Sequence, residues 1–164
     1  MAGYDFKSVA ETVLQACTKR ELMLATAESC TGGLVASTLV SIPGSSAVVE
    51  RGYVTYSNSA KIDLLGVPEE TIEQFGAVSE ETAIAMAEGA LGNAPVDLAV
   101  AITGIAGPGG GSAEKPEGLV HFACARKERV TSHDRIEFGA IGRNHVRERS
   151  AWHALEMLLI MARA

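Results

Sequence analysis

The apolar run Leu22-Met23-Leu24-Ala25-Thr26-Ala27 stops abruptly at Glu28-Ser29-Cys30-Thr31-Gly32-Gly33, and the helix-forming Leu34-Val35-Ala36-Ser37-Thr38-Leu39 follows at once. A strand of buried type that turns on small residues directly into a helix constrains the chain toward a layered α/β arrangement. The corner concentrates two hydroxyls and a thiol where the first turn of a helix leaves backbone N–H groups unpaired and partly positive. An anion, or a carbonyl oxygen becoming negative during acyl transfer, meets ready donors there. The structural alternative is that Ser29 and Thr31 only cap the helix and Gly32-Gly33 only eases the turn.

The rest of the chain continues the alternation. Phe6, Val9, Ala10, Val13, Leu14 and Cys17 recur at helical steps and predict an opening helix. Ser41 to Ser46 reads as a loop and Val48 to Tyr56 as a strand, with Ser57-Asn58-Ser59 capping a short helix over 60–65. Pro68 opens another short helix, and Ser79 a longer one with Ala83, Ile84, Ala87 and Leu91 inward. Asp97 to Ile102 is a continuous apolar run, the signature of a central strand covered on both faces. Leu119 to Ala125 and Val130 to Phe138 flank the polar link 126–129 and predict an antiparallel hairpin, and a helix from about Asn144 to Ala162 closes the chain. The pattern predicts a single α/β domain over residues 1–164, a three-layer helix–sheet–helix sandwich with a mixed, mainly parallel sheet.

Composition narrows the function classes. Of the 164 residues 47% are hydrophobic but only 5% aromatic, so the core rests on Ala, Val, Ile and Leu. A net charge of −6 argues against general nucleic-acid binding, and no apolar run reaches the ~18 residues of a membrane span. Met1 to Phe6 lacks the basic-then-apolar order of a signal peptide. Cys17, Cys30 and Cys124 are odd in number and widely spaced, which suits free thiols in a reducing cytoplasm. The histidines show no metal-ligand spacing, so no structural metal is expected.

Three further features carry chemistry. Thr103-Gly104-Ile105-Ala106-Gly107-Pro108-Gly109-Gly110-Gly111-Ser112 follows the central strand, where ligands of open α/β sheets bind; its glycines let backbone N–H groups approach a phosphate. Lys61, five residues after Tyr56, becomes a base if burial lowers its pKa, and Ser46 and Ser29 are the serines it can activate. Arg143, at the start of the last helix, can grip a phosphate, with Arg147 one turn later as its support or as a plain exposed residue. Cys30 is the rival nucleophile, but no nearby histidine serves it as base, and it reads as a small packed side chain.

Thr26 to Gly33, Pro43-Gly44-Ser45-Ser46, Gly52 to Asn58, Gly76-Ala77-Val78-Ser79 and Thr103 to Gly110, in this order and spacing, resemble the CinA C-terminal domain, the PncC family of nicotinamide-nucleotide amidases. Lys115-Pro116-Glu117-Gly118 and Gly142-Arg143 extend the likeness, which covers about residues 8–160 and matches the stand-alone form of the family. The resemblance implies hydrolysis of the carboxamide of nicotinamide mononucleotide to nicotinate mononucleotide and ammonia, in pyridine nucleotide recycling, without a cofactor. It puts the catalytic serine, lysine and tyrosine on Ser46, Lys61 and Tyr56, with Ser29 in the same pocket. The pattern resembles serine–serine–lysine amidases, with Ser46 attacking and Ser29 as proton relay or oxyanion partner. Thr31, Gly32, Thr103, Gly104 and Gly107 would bind the substrate and Arg143 its phosphate. The expected partner is a small nucleotide and the expected assembly a homo-oligomer, a dimer first. The contrasting class is a regulatory module that binds a nucleotide without turning it over.

Overall fold

The computed structural model describes residues 3–164; of the Met1–Phe6 stretch read above for a leader, Met1 and Ala2 lie outside the described residues. The elements follow in the order α1 (Phe6–Thr18), β1 (Leu24–Glu28), α2 (Leu34–Val40), a 3₁₀ turn (Ser45–Ala47), β2 (Val49–Val54), α3 (Asn58–Leu65), α4 (Glu69–Phe75), α5 (Glu80–Gly92), β3 (Leu98–Gly104), β4 (Leu119–Arg126), β5 (Ser132–Glu137) and α6 (Arg143–Arg163). Local chemistry sets several of the starts. Asp5, Ser57 and Ser79 each accept the backbone N–H three residues on, from Ser8, Ala60 and Thr82, and so satisfy one orphan donor of α1, α3 and α5.

The strands lie in the order β2-β1-β3-β4-β5. β1 pairs in parallel with both β2 and β3, whereas β4 runs antiparallel to β3 and β5. Four strands therefore share one direction and β4 alone opposes them. The predicted hairpin is present, although β5 begins at Ser132, beyond an exposed Val130.

Two cores cover the sheet, and side-chain size separates them. Leu24, Leu98, Val100, Ile102, Val120, Phe122 and Cys124 face α1, α2 and α6. Ala25, Ala27, Ala99, Ala101, Ala123 and Ala125 face α5, which meets them with Ala83, Met86, Ala87 and Ala90. The six alanines at the centre of this sheet face let α5 approach closely, and Ile84 and Leu91 are only partly buried at its flanks. The approach is tightest at Gly89, where an added Cβ would stand 1.9 Å from the Leu65 carbonyl oxygen of α3.

This topology places a crevice. From β1 the chain passes along α2 to β2 on one side, and it returns through α3, α4 and α5 to β3 on the other. The carboxyl ends of β1 and β3 thus form a switch point, the usual ligand position in open α/β sheets. Among the described residues, no helix is long and apolar enough to cross a membrane.

Candidate active site

At that switch point lies a cleft of about 350 Å³, lined by Ser29 and Cys30 after β1, Tyr56, Asn58 and Lys61 after β2, Ala77-Val78 before α5, residues 103–110 at the end of β3 and in the loop after it, and Arg143. The β1–α2 corner is built so that Ser29 is left free. The N-cap of α2 is Gly33, which offers no side chain. Its duty passes to Glu28, fully buried at the end of β1, whose carboxylate accepts the N–H groups of Val35 at 2.9 Å and Ala36 at 3.1 Å. Neither Ser29 nor Thr31 caps the helix.

The Ser29 hydroxyl instead meets Lys61. Lys61 is 1% exposed, and its Nζ donates to Ser29 Oγ at 3.1 Å, to the Thr55 carbonyl at 2.8 Å and to the Tyr56 carbonyl at 3.3 Å. It takes no carboxylate partner among the described residues. Burial without a countercharge pushes its pKa below the ordinary lysine value. A buried amine held against a serine hydroxyl, with a depressed pKa, is the geometry of a base that activates an oxygen nucleophile. Cys30, by contrast, has its thiol pushed up to about 12 by burial and stays protonated at neutral pH.

The opposite wall is tied together by Arg143. One of its amino groups donates to the Gly107 carbonyl at 2.8 Å and the other to the Tyr56 hydroxyl at 2.9 Å, so it bridges the glycine loop and the β2–α3 turn. Thr103 lines the cleft but gives its hydroxyl to the Ala77 carbonyl at 2.7 Å. Gly104 and Gly107 also lie on the lining.

Three expected residues fall elsewhere. Ser46 sits exposed on the 3₁₀ turn that precedes β2. Because β1 and β2 are parallel, Val49 stands beside Leu24 and Val54 beside Glu28, so the start of β2 is at the far end of the sheet from Ser29. The intervening six-residue strand separates them by about 20 Å at ~3.3 Å per residue. Thr31 is fully buried and Gly32 lies against Arg147; neither lines the cleft. Asn58 and Ala77-Val78 also line it; the sequence marks them only as members of the Gly52–Asn58 and Gly76–Ser79 motifs, not as site residues.

A family model described as the CinA C-terminal domain matches residues 6–162. The chain belongs to the CinA C-terminal domain family. The nicotinamide-nucleotide amidohydrolase PncC of Escherichia coli K12 is 49% identical over 160 residues, which cover 96% of this chain and 95% of that protein. A putative competence-damage inducible protein of Caldicellulosiruptor bescii is 46% identical over 157 residues, but this chain spans only 38% of its length. Among solved structures, the competence/damage inducible protein CihA of Agrobacterium tumefaciens superposes with a TM-score of 0.95 at 51% identity, covering 100% of this chain and 99% of that one. The CinA-type sandwich predicted for the chain is therefore the fold it adopts.

Proposed function

We propose that this protein is an amidohydrolase that converts nicotinamide mononucleotide and water to nicotinate mononucleotide and ammonia, with Ser29 as nucleophile and Lys61 as base. The observation that carries the reading is the fully buried Lys61 amine, without a carboxylate, 3.1 Å from the Ser29 hydroxyl inside the cleft. The printed name and near-complete coverage of the Escherichia coli relative support the substrate.

Neutral Lys61 takes the Ser29 proton as Oγ adds to the carboxamide carbon. The resulting ammonium then protonates the departing nitrogen, so ammonia leaves and a Ser29 ester remains. Water, deprotonated by the same amine, hydrolyses that ester and frees the carboxylate. Attack is assigned to Ser29 rather than Ser46 because only Ser29 reaches both Lys61 and the cleft. The Ala77-Val78 and Ile105-Ala106 segments supply an apolar wall for the pyridine ring. Arg143 and the backbone of the glycine loop offer donors to the ribose phosphate. The three buried, unpaired cysteines fit a reducing, cytoplasmic setting.

The test is ammonia release from nicotinamide mononucleotide by the wild type, Ser29→Ala and Ser46→Ala. Turnover lost in Ser29→Ala and kept in Ser46→Ala is expected. Tight binding of the mononucleotide by the wild type without ammonia release would instead make the chain a nucleotide-binding module.

A further inference from the structure

Arg147 lies one helical turn beyond Arg143 on α6, half-buried beneath the Ser29 corner. Its Nε donates to the Cys30 carbonyl at 3.1 Å and an amino group to the Thr31 carbonyl at 3.0 Å, and no carboxylate pairs with it among the described residues. A guanidinium whose fork is used on two successive carbonyls restrains backbone. This backbone needs restraint, because Gly32 and Gly33 both adopt positive φ, at 61° and 97°, and glycine crosses between backbone basins at low cost.

The restrained peptides, Cys30–Thr31 and Thr31–Gly32, follow the nucleophile directly in the same corner. Ser29 donates its N–H to the Ile102 carbonyl at 3.0 Å and accepts the Gly32 N–H at 3.0 Å, which closes a tight turn. In a trans peptide the C=O and N–H point in opposite directions. Turning the Ser29 carbonyl toward Gly32 therefore turns the Cys30 N–H away from that turn. This N–H has no hydrogen-bond partner in another described residue, and Cys30 lines the cleft beside Ser29.

We propose that Arg147 is a positioning residue for acyl transfer: its clamp on the Cys30 and Thr31 carbonyls locks the corner that aims Ser29 Oγ at the carboxamide and the Cys30 N–H at the oxygen that becomes negative. The proposal rests on the hydrolytic reading above. In the step it serves, the Oγ–C bond forms, the carbonyl π pair moves onto oxygen, and the hydroxyl proton passes to Lys61 Nζ. The Cys30 N–H meets the new oxyanion, as the amide following a nucleophile does in other acyl-transfer sites.

The experiment compares the wild type, Arg147→Gln and Arg147→Lys in three readouts: turnover of nicotinamide mononucleotide, affinity for the product nicotinate mononucleotide, and affinity for the mononucleotide bearing an aldehyde in place of the carboxamide. The aldehyde accepts Ser29 and forms a tetrahedral adduct. Arg147→Gln is expected to lower kcat about 10²-fold, the scale of a lost oxyanion donor. Aldehyde affinity should fall by the same factor as kcat/KM, because both report the tetrahedral state. Product affinity should hold. Arg147→Lys, which keeps the charge but reaches one carbonyl, should fall between, and it decides the matter if the glutamine variant does not fold. Full turnover in either variant, or an equal loss of product and aldehyde affinity, overturns the proposal. A wild type that releases no ammonia overturns the hydrolytic reading, and this proposal with it.

Discussion

Replacing Lys61 by methionine keeps an unbranched stem in the same buried slot and deletes only the amine. The deletion removes three contacts together: the 3.1 Å contact to Ser29 Oγ and the bonds to the Thr55 and Tyr56 carbonyls. Ser29 then has no base, and losing one member of a coupled catalytic set costs about 10³-fold or more in turnover. Folding should survive. Each carbonyl left without its donor costs about 1–3 kcal/mol at most, offset in part because the burial of an uncompensated amine is also removed. A coupled ammonia assay reads the first effect and thermal unfolding the second. Near-native turnover in a folded Lys61→Met would refute the reasoning outright.

The pH profile sharpens the same test. Burial lowers the Lys61 pKa from 10.5, so kcat/KM should climb with pH through a value below that of an ordinary lysine and then level off. Lys61→Arg carries a guanidinium that stays protonated, and should show no such limb. Stability responds in a linked way. Between the lowered pKa and 10.5 the unfolded chain binds more protons at Lys61 than the folded one does. The group's penalty on folding is therefore complete below the folded pKa and fades as pH rises toward the unfolded one. The stability difference between wild type and Lys61→Met should be flat at low pH and shift in favour of the wild type across that window. A shift in the opposite direction would mean that the amine is not desolvated.

Two further substitutions test the recognition wall and the packing behind it. Arg143→Ala should raise KM for nicotinamide mononucleotide roughly 30- to 150-fold, the equivalent of about 2–3 kcal/mol for a charge-assisted contact. The unphosphorylated riboside should respond much less, and equal losses for the two compounds would move the phosphate to the 104–112 backbone. Gly89→Ala gains about 0.5–1 kcal/mol of helix propensity. It should nevertheless lower Tm, because overpacking against the Leu65 carbonyl costs about 1–3 kcal/mol. A raised Tm on thermal unfolding would show that α3 and α5 are not in backbone contact.

The elements themselves were largely legible, because caps and turn residues act locally: Ser57 and Ser79 mark their helix starts, and the polar 126–129 link marks its hairpin. What escaped depends on partners distant in sequence. The continuous apolar run 97–102 hides an alternation of size, and only the paired sheet shows that Ala99 and Ala101 join Ala25, Ala123 and Ala125 under α5. The burial of Lys61 on a short helix is set by a corner 32 residues away. Ser46 lies away from the cleft for a topological reason. A residue that precedes a strand lies at the opposite end of a parallel pair from a residue that follows its neighbour, so a serine before β2 cannot share an edge with one after β1. The same rule groups the remaining candidates. Ser29 follows β1, Tyr56 and Lys61 follow β2, and Thr103 to Gly107 end and follow β3, all strands of one direction. Glu28 completes the logic: by capping α2 from the strand it takes the duty that a sequence reading grants to Ser29, and so leaves that hydroxyl to the lysine.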